Sequence, residues 1–137
     1  MSPALLDLTP FSRVLQRLAE GLVRYQSDTG DTQIRDGLIQ RFEFTYEIGQ
    51  KMLKRYLESV SPTPGEYDTM PFADIIRSAN EQGLLLGDWT AWRGYREMRG
   101  KTSHTYDEQV AVQVVSIIPQ FLVEAEYLLH RLQERTA

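Results

Sequence analysis

The chain of 137 residues contains no cysteine, only two histidines and no long run of apolar residues. The lack of cysteine excludes disulfides, thiolate nucleophiles and cysteine-ligated metal sites. A membrane-spanning helix needs about 18 or more consecutive apolar residues, which no stretch approaches. The N-terminus also lacks the basic and then apolar order of a signal peptide. We therefore expect a cytoplasmic protein.

Positive charge is scarce, because 15 Lys and Arg stand against 19 Asp and Glu and give a net charge of -4. This balance excludes a broad basic surface for nucleic acid, since affinity for phosphate comes mostly from Lys and Arg. One local exception is the stretch 93–101, where Arg93, Arg96, Arg99 and Lys101 face a single acid, Glu97. We expect any contact with phosphate to be made there.

Motifs for cofactors and metals are also missing from the sequence. There is no P-loop, no dinucleotide fingerprint, and no Gly-Ser turn followed by paired strand aspartates, so the chain is not itself a nucleotidyltransferase. Paired histidines and Glu-x-x-His spacings are absent as well. We expect no metal and no cofactor, and we interpret His130, four residues after Glu126, as half of a helical ion pair.

Apolar residues recur at spacings of three and four along most of the chain, which predicts helices. The length fits one domain over residues 1–137. Five helices are predicted: one beginning at Thr9 and ending before the turn at 27–31, then 32–60, 71–82, 88–100 and 107–134. Three long and two shorter helices with short connections predict an all-α, up-and-down four-helix bundle with an additional short helix.

Several residues mark the expected ends of these helices. Thr9, followed by proline, and Thr69 are predicted N-caps, and Asp88 is predicted to cap the fourth helix. Gly83 is expected to stop the third helix. Pro119 lies inside the last helix and predicts a kink there instead of an end.

Polar and aromatic residues outside the basic stretch have competing interpretations. Trp89 and Trp92 can stack a nucleobase, but burial is the favoured interpretation. Arg35, Arg41 and Glu43 can line a dimer interface or a nucleotide cleft, whereas solvation at the surface is favoured for each of them. Phenylalanine, tyrosine and methionine at helical spacing on the same helix are assigned to the core.

The segment after the fourth helix carries the residues best suited to chemistry. Residues five apart are separated by about 140° on a helix, so Arg99 and His104 cannot share one helical face. Gly100 offers a break between them. If the backbone becomes extended over 102–106, His104 and Tyr106 project to the same side. We expect Arg99 to reach their pocket from the end of the helix.

A guanidinium grips phosphate bidentately, and an imidazole exchanges protons near neutral pH. Together they suit attack of an RNA 2′-hydroxyl on the adjacent phosphorus, with His104 as acid or base and Arg99 stabilising the developing charge. Ser103 and Thr102 can add hydroxyl contacts to the phosphate. By their charge, the other basic residues are candidates for guiding phosphate or pairing with the acids of a partner: Arg93, Arg96, Lys101 and Arg35.

Two stretches, 35–47 (RDGLIQRFEFTYE) and 99–108 (RGKTSHTYDE), resemble the signatures of the nucleotidyltransferase substrate-binding family within the HEPN superfamily. The second matches the Arg-x4-His-x-Tyr pattern of HepT-type toxins, with Arg99, His104 and Tyr106 in place. One position departs from it, because many relatives have a polar residue, often Asn, where this chain has Gly100. That departure removes a contact expected to orient the site.

The resemblance implies a helical bundle that forms a homodimer and a metal-independent ribonuclease site at Arg99 and His104. It also implies a partner, a cognate minimal nucleotidyltransferase that acts as antitoxin by transferring AMP to Tyr106. Two other interpretations remain open. In one, the chain is a non-catalytic subunit that binds a nucleotide or substrate for the partner enzyme; in the other, it is a helical adaptor with no ligand.

Overall fold

The computed structural model describes residues 6–136, and every regular element within them is helical. Two short 3-10 helices, Pro64–Asp68 and Thr102–His104, lie in the connections. The five α-helices are α1 (Thr9–Ser27), α2 (Thr32–Val60), α3 (Phe72–Glu81), α4 (Trp89–Gly100) and α5 (Glu108–Thr136). The all-α prediction is confirmed, and each predicted helix lies within a few residues of its observed bounds.

Some predicted helix ends are confirmed by local hydrogen bonds. The Asp88 carboxylate accepts from the backbone N–H of Thr90 at 3.0 Å and so caps α4. Gly83 follows α3 with a φ of +74°, in the left-handed region that favours glycine. α5 continues through Pro119, which therefore does not end it.

Two predicted caps are wrong. Thr9 is already the first helical residue of α1, and its own N–H donates to Asp7 Oδ1 at 3.0 Å. α3 is preceded directly by Pro71, with no side chain capping it, so Thr69 lies too far upstream. In both places a proline with its fixed φ stands at or beside the first helical position, where a missing N–H costs no hydrogen bond.

The two central helices, α2 and α5, run parallel. The Arg35 guanidinium, near the start of α2, donates to Glu108 at the start of α5 over 2.6 Å. α1 returns antiparallel to α2 through the short turn at 28–31, and Thr45 of α2 donates from its hydroxyl to the Val14 carbonyl of α1 at 3.2 Å.

α4 runs antiparallel to α5. Trp92, early in α4, donates to Glu124 in the second half of α5 at 3.1 Å, whereas Lys101, just after α4, reaches Gln113 in its first half at 3.3 Å. The four helices α1, α2, α4 and α5 therefore alternate in direction along the chain, as the up-and-down prediction requires. This order places the end of α4 and the start of α5 at the same end of the bundle.

An aromatic cluster fills the space between α2, α4 and α5. Phe121 packs edge-on against Phe42 at 5.1 Å and against Tyr95 at 5.3 Å, and Trp92 packs against Tyr95 at 5.4 Å between ring centroids. Burying a side chain of this size contributes about 1.5–3 kcal/mol. Trp92 is only 1% exposed, which excludes base stacking by its ring and confirms the core assignment.

The apolar residues of α5 include a stripe that packs in the same core. By length and composition alone, this helix would also suit a membrane-spanning segment. Its inner stripe is buried in the bundle and includes Val114, Ile118, Phe121 and Ala125. Core packing accounts for that stripe.

Glu124 is a buried carboxylate that ties the α3–α4 connection to α5. It is 2% exposed and accepts from the backbone N–H groups of Leu86 at 2.8 Å and Gly87 at 2.7 Å, besides the Trp92 indole. Three donors around one carboxylate compensate for its removal from water. The role of Glu124 was not predictable from its sequence neighbours, because its partners are more than thirty positions away.

Candidate functional site

The segment that follows α4 is a tight turn, and the predicted extended backbone over 102–106 is wrong. Gly100 remains helical as the last residue of α4, and Thr102–His104 forms a 3-10 helix. The N–H of His104 donates to the Lys101 carbonyl at 3.0 Å, and the N–H of Asp107 donates to the His104 carbonyl at 3.1 Å. These bonds satisfy backbone groups that an extended strand without a partner would leave unpaired.

Arg99 points from the end of α4 towards α2. Its guanidinium donates to the carboxylate of Glu47 and lies 3.4 Å from Glu43 Oε2. The hydrogen bond that Arg99 donates to Glu47 and the charges of both carboxylates raise the pKa of Arg99, against a smaller opposing effect of burial. Arg99 is therefore held as a cation between two acids of its own chain.

Thr102 completes this cluster and links it to the turn. Its hydroxyl lies 2.6 Å from Glu43 Oε2 and 2.8 Å from the Arg99 carbonyl oxygen. Glu43 and Glu47 are four apart on α2, so their side chains emerge from the same helical face. Glu43 was among the residues predicted from the sequence as candidates for an interface or a nucleotide cleft, whereas Glu47 was not.

Tyr46 adds a buried hydroxyl next to Arg99. Burial raises the pKa of Tyr46 to about 12, with Arg96 and Arg99 opposing that shift. Neither the Tyr46 hydroxyl nor Arg99 Nε has a hydrogen-bond partner among the described residues. The cluster therefore contains two buried polar atoms whose hydrogen-bonding capacity is unused.

His104 and Tyr106 form a second, exposed group on the same turn. Their ring centroids lie 6.2 Å apart in an edge-on arrangement, and Tyr106 is 88% exposed. Ser103 is exposed beside them. Within residues 6–136 the structure thus pairs Arg99 with Thr102 and His104 with Tyr106, and no hydrogen bond joins Arg99 to His104.

The other predicted phosphate contacts are largely occupied within the chain. Lys101 lies 3.7 Å from Glu97, and the Arg96 guanidinium sits 5.0 Å from the centre of the Phe72 ring. Arg93 is exposed and has no carboxylate within 4.0 Å among the described residues.

Arg35 corrects the surface interpretation given from its sequence. It is only 8% exposed, and it is held by Glu108 at 2.6 Å, with Asp36 at 3.8 Å from its Nε. The hydrogen bond that Arg35 donates to Glu108 raises the pKa of Arg35. Its guanidinium therefore fixes the start of α2 to the start of α5, beside the turn that carries His104.

His130 is paired differently from the prediction. Its Nε2 lies 3.6 Å from Glu134, one turn further along α5, and not beside Glu126. Both candidate partners lie four residues away, so spacing alone did not distinguish them.

Comparison with known proteins assigns the family. A family model described as nucleotidyltransferase substrate binding protein like matches residues 6–134. The chain belongs to this family. The resemblance drawn from the stretches 35–47 and 99–108 is thereby confirmed.

Two relatives of this family member are informative. A Haemophilus influenzae protein named probable ribonuclease HepT is 43% identical over 99 residues, which cover 72% of this chain and 67% of the relative. A solved Haemophilus influenzae structure, described as the fold of a substrate binding domain of a nucleotidyltransferase, superposes with a TM-score of 0.86 at 34% identity. That match covers 93% of this chain and 99% of the solved one.

A cavity of about 380 Å³ lies beside the turn of this family member. Its polar lining comes from Asp36, Gln40 and Glu43 of α2 and from Thr102 and Thr105 of the turn. Arg99 and His104 do not line it. The cavity is hydroxyl-rich and acidic, so a phosphate approaching the turn must be balanced by positive charge outside it.

Proposed function

We propose that this family member is a metal-independent endoribonuclease of the HepT type, acting as the toxin of a toxin–antitoxin pair. The observation that carries the proposal is the single tight turn that presents Thr102, His104 and Tyr106 directly after Arg99. The relative named a ribonuclease supports the same reaction class.

The reaction that suits these groups is transesterification within RNA. The 2′-oxygen attacks the adjacent phosphorus, the bond from phosphorus to the 5′-oxygen breaks, and a 2′,3′-cyclic phosphate and a 5′-hydroxyl result. His104 is exposed and free to take the 2′-hydroxyl proton or to give one to the leaving oxygen. Arg99 stabilises charge on the phosphate oxygens, and Thr102 and Ser103 offer hydroxyl contacts.

A homodimer fits this chemistry because one histidine cannot take and give a proton in the same step. Two copies would supply a neutral imidazole as base and a protonated one as acid. A two-fold interface would place identical patches against each other. Bringing two exposed turns together would also exclude water from the reacting phosphate.

Control by a cognate nucleotidyltransferase fits the exposure of Tyr106. In AMP transfer the phenol oxygen attacks the α-phosphorus of ATP, the bond to the pyrophosphate breaks, and the phenol proton passes to a base. A side chain that is 88% exposed can enter the active site of another enzyme without unfolding the turn that carries it. The added phosphate would sit next to His104 and repel RNA.

A second candidate function is that of a nucleotide-binding subunit for the nucleotidyltransferase. The observation that favours it is the arrangement of Glu43 and Glu47 around Arg99, which engages the guanidinium before any RNA arrives. The description of the superposed Haemophilus influenzae structure as a substrate binding domain points the same way. In this function His104 contacts phosphate without cleaving it.

The deciding experiment incubates the full chain and its His104→Ala variant with RNA in EDTA. We expect the wild type to produce 2′,3′-cyclic phosphate ends and the variant to lose at least a hundredfold in rate, in line with removal of a general acid or base. His130→Ala, the same substitution at the exposed histidine of α5, serves as the matched control and should retain most of the activity.

Equal and negligible cleavage by wild type and His104→Ala would reject the ribonuclease. If Arg99→Ala then lost nucleotide binding, the subunit function would stand instead. Co-expression with the nucleotidyltransferase should add the mass of AMP to the wild type and not to Tyr106→Phe; addition to both would remove Tyr106 from the proposal.

A further inference from the structure

Three arginines of this acidic protein lie along the seam between α1 and α2 without an acidic partner. Arg17 and Arg24 are exposed on α1, and Arg41 is half-buried on α2. In the described chain none of them has a carboxylate within 4.0 Å, whereas Arg99 has two. Three cationic groups without an acidic partner therefore lie together on this face.

Two adjoining cavities join these arginines into one groove. The larger, of about 330 Å³, is lined by Val14, Arg17, Gly37, Gln40, Arg41 and Phe44. The smaller, of about 160 Å³, is lined by Gly21, Arg24, Ile34, Gly37, Leu38 and Arg41. Because Gly37 and Arg41 line both, we treat them together as the α1–α2 groove.

The arginines of the α1–α2 groove differ in how their side chains are held. Arg41 is anchored, because its Nη1 donates to the Arg17 carbonyl at 2.7 Å and its stem packs where Gly21 has no side chain. Its other guanidinium N–H groups have no partner among the described residues. Arg17 and Arg24 remain free to adjust.

Phe44 adds an aromatic surface at the edge of the α1–α2 groove. It is 45% exposed, whereas Phe11, Phe42, Phe72 and Phe121 are all buried. An exposed aromatic face beside unpaired arginines can stack any base of a single strand while the arginines hold its phosphates. Glu20, Asp36 and Glu43 are next to groove residues in sequence, and none of them lines either cavity of the groove.

The α1–α2 groove also continues to the proposed cleavage site. Gly37 and Gln40, which line the larger cavity, also line the cavity beside Thr102 and Thr105. A side chain at Gly37 would meet nothing within 4 Å, so the surface there is open. A strand could therefore pass from the cavity beside the turn to Arg41 across α2 at Gly37, where no side chain stands in its way.

We propose that the α1–α2 groove binds the stretch of single-stranded RNA that flanks the scissile phosphate. Its phosphates are held by Arg17, Arg24 and Arg41, and one base is stacked on Phe44. The proposal rests on the proposed ribonuclease function for its choice of RNA, and it supplies the positive charge that the cluster around Arg99 lacks.

The test measures binding of a fluorescein-labelled 12-nucleotide oligouridine RNA by anisotropy, in a His104→Ala background so that the RNA stays intact. With both exposed arginines removed (Arg17→Gln, Arg24→Gln), we expect affinity at 0.1 M salt to fall about tenfold. The slope of log affinity against log salt should shrink by about 1.4, since each phosphate contact on a single strand contributes about 0.7.

Two further variants separate stacking from charge. Phe44→Ala should weaken binding about tenfold with an unchanged salt slope, because stacking on an aromatic ring does not release counterions. The pair Lys51→Gln, Arg55→Gln removes the same two positive charges at exposed positions about 15 and about 21 Å beyond Arg41 along α2, and it should leave affinity within twofold.

The proposal is overturned if the arginine double variant binds like the parent, if the pair Lys51→Gln, Arg55→Gln weakens binding equally, or if a duplex RNA binds as tightly as the single strand. The failure of this proposal and the failure of the ribonuclease proposal give different results. If the arginine double variant loses RNA binding and the wild type cleaves no RNA, the groove is supported and the ribonuclease is rejected. If the double variant binds like its parent and the wild type cleaves RNA through His104, the ribonuclease is supported and the groove is rejected.

Discussion

The guanidinium of Arg99, at the end of α4, donates a hydrogen bond to the carboxylate of Glu47 on α2. Glu43, one turn earlier on the same face, lies 3.4 Å from the same guanidinium. Two carboxylates around one cation leave this cluster with a net negative charge. A phosphate that approaches Arg99 therefore meets repulsion before it reaches the donor groups.

Removing the two acids should strengthen binding of RNA. In a His104→Ala background we expect the pair Glu43→Gln, Glu47→Gln to raise affinity for oligouridine about five- to tenfold at 0.05 M salt, because one unit charge at about 4 Å in water corresponds to roughly 1 kcal/mol. The gain should vanish near 0.5 M salt.

The matched control for that pair removes two exposed acids from the far end of α5, by Glu126→Gln and Glu134→Gln. It changes net charge equally and should change affinity by less than twofold. An equal gain in both double variants would assign the effect to overall charge and not to Arg99.

Glu124→Gln should destabilise the fold by about 2–4 kcal/mol, since charged hydrogen bonds contribute about 1.5–3 kcal/mol each and the amide turns a donor towards N–H groups. Urea unfolding measures the change. Glu126→Gln, two residues along and exposed, should stay within about 0.5 kcal/mol of the parent. Similar losses in both would mean that the Glu124 carboxylate is not specifically bound.

Two glycines should respond to alanine in opposite directions. A Cβ on Gly87 would lie 2.7 Å from Glu124 Oε1 and 2.8 Å from the Ala91 Cβ, so Gly87→Ala must displace one of them and lower the melting temperature. Gly94 lies inside α4 with nothing within 4 Å of a Cβ. There Gly94→Ala should stabilise by about 0.5–1 kcal/mol, and a loss at Gly94 would contradict the packing described for α4.

Tyr46→Phe should leave stability at pH 7 unchanged or raise it by up to about 1 kcal/mol, because the lost hydroxyl has no hydrogen-bond partner. The pKa of Tyr46 is raised from 10.0 to about 12 by burial, so the neutral phenol is favoured in the fold. The contribution of the neutral Tyr46 phenol to the free energy of unfolding is therefore fully present below pH 10 and is lost as the pH rises towards 12.

The Tyr46→Phe variant should show a shallower alkaline loss in urea titrations between pH 9 and 12. Part of the loss should persist, because burial also raises the pKa of Tyr95 to about 12. Tyr106→Phe, at an exposed position, should follow the wild-type curve. If Tyr46→Phe follows it too, the Tyr46 phenol is not protected from ionisation.

The helices were predictable because the signals for each helix lie within its own segment of the chain. Apolar spacing of three and four gave α2 over the residues observed, and Asp88 and Gly83 marked ends that depend only on nearby backbone. The N-caps predicted at Thr9 and Thr69 were wrong because a proline stands at or beside the start of each helix and takes the place of a side-chain cap. The extended conformation predicted for 102–106 was wrong because the short connection 101–107 between α4 and α5 closes with a 3-10 turn at Thr102–His104.

The candidate site was only partly predictable. The order of Arg99, His104 and Tyr106 is a property of one short segment, and the family resemblance rests on it. Glu47, Glu124 and the burial of Arg35 depend on contacts between residues 52, 32 to 38 and 73 positions apart. No periodicity signals such pairs, since a polar residue on a helix looks the same whether it meets water or another helix.

The sequence by itself determined the helices, the apolar stripes that form the core and the motif that assigns the family, because these depend on neighbours within one or two turns. Only the tertiary structure decided that Arg99 faces two acids, that Tyr106 stands free in solvent, and that Arg17, Arg24 and Arg41 remain unpaired along one groove. Those outcomes follow from how α1, α2 and α4 cross in space, and the charges that meet there are set by packing and not by order along the chain.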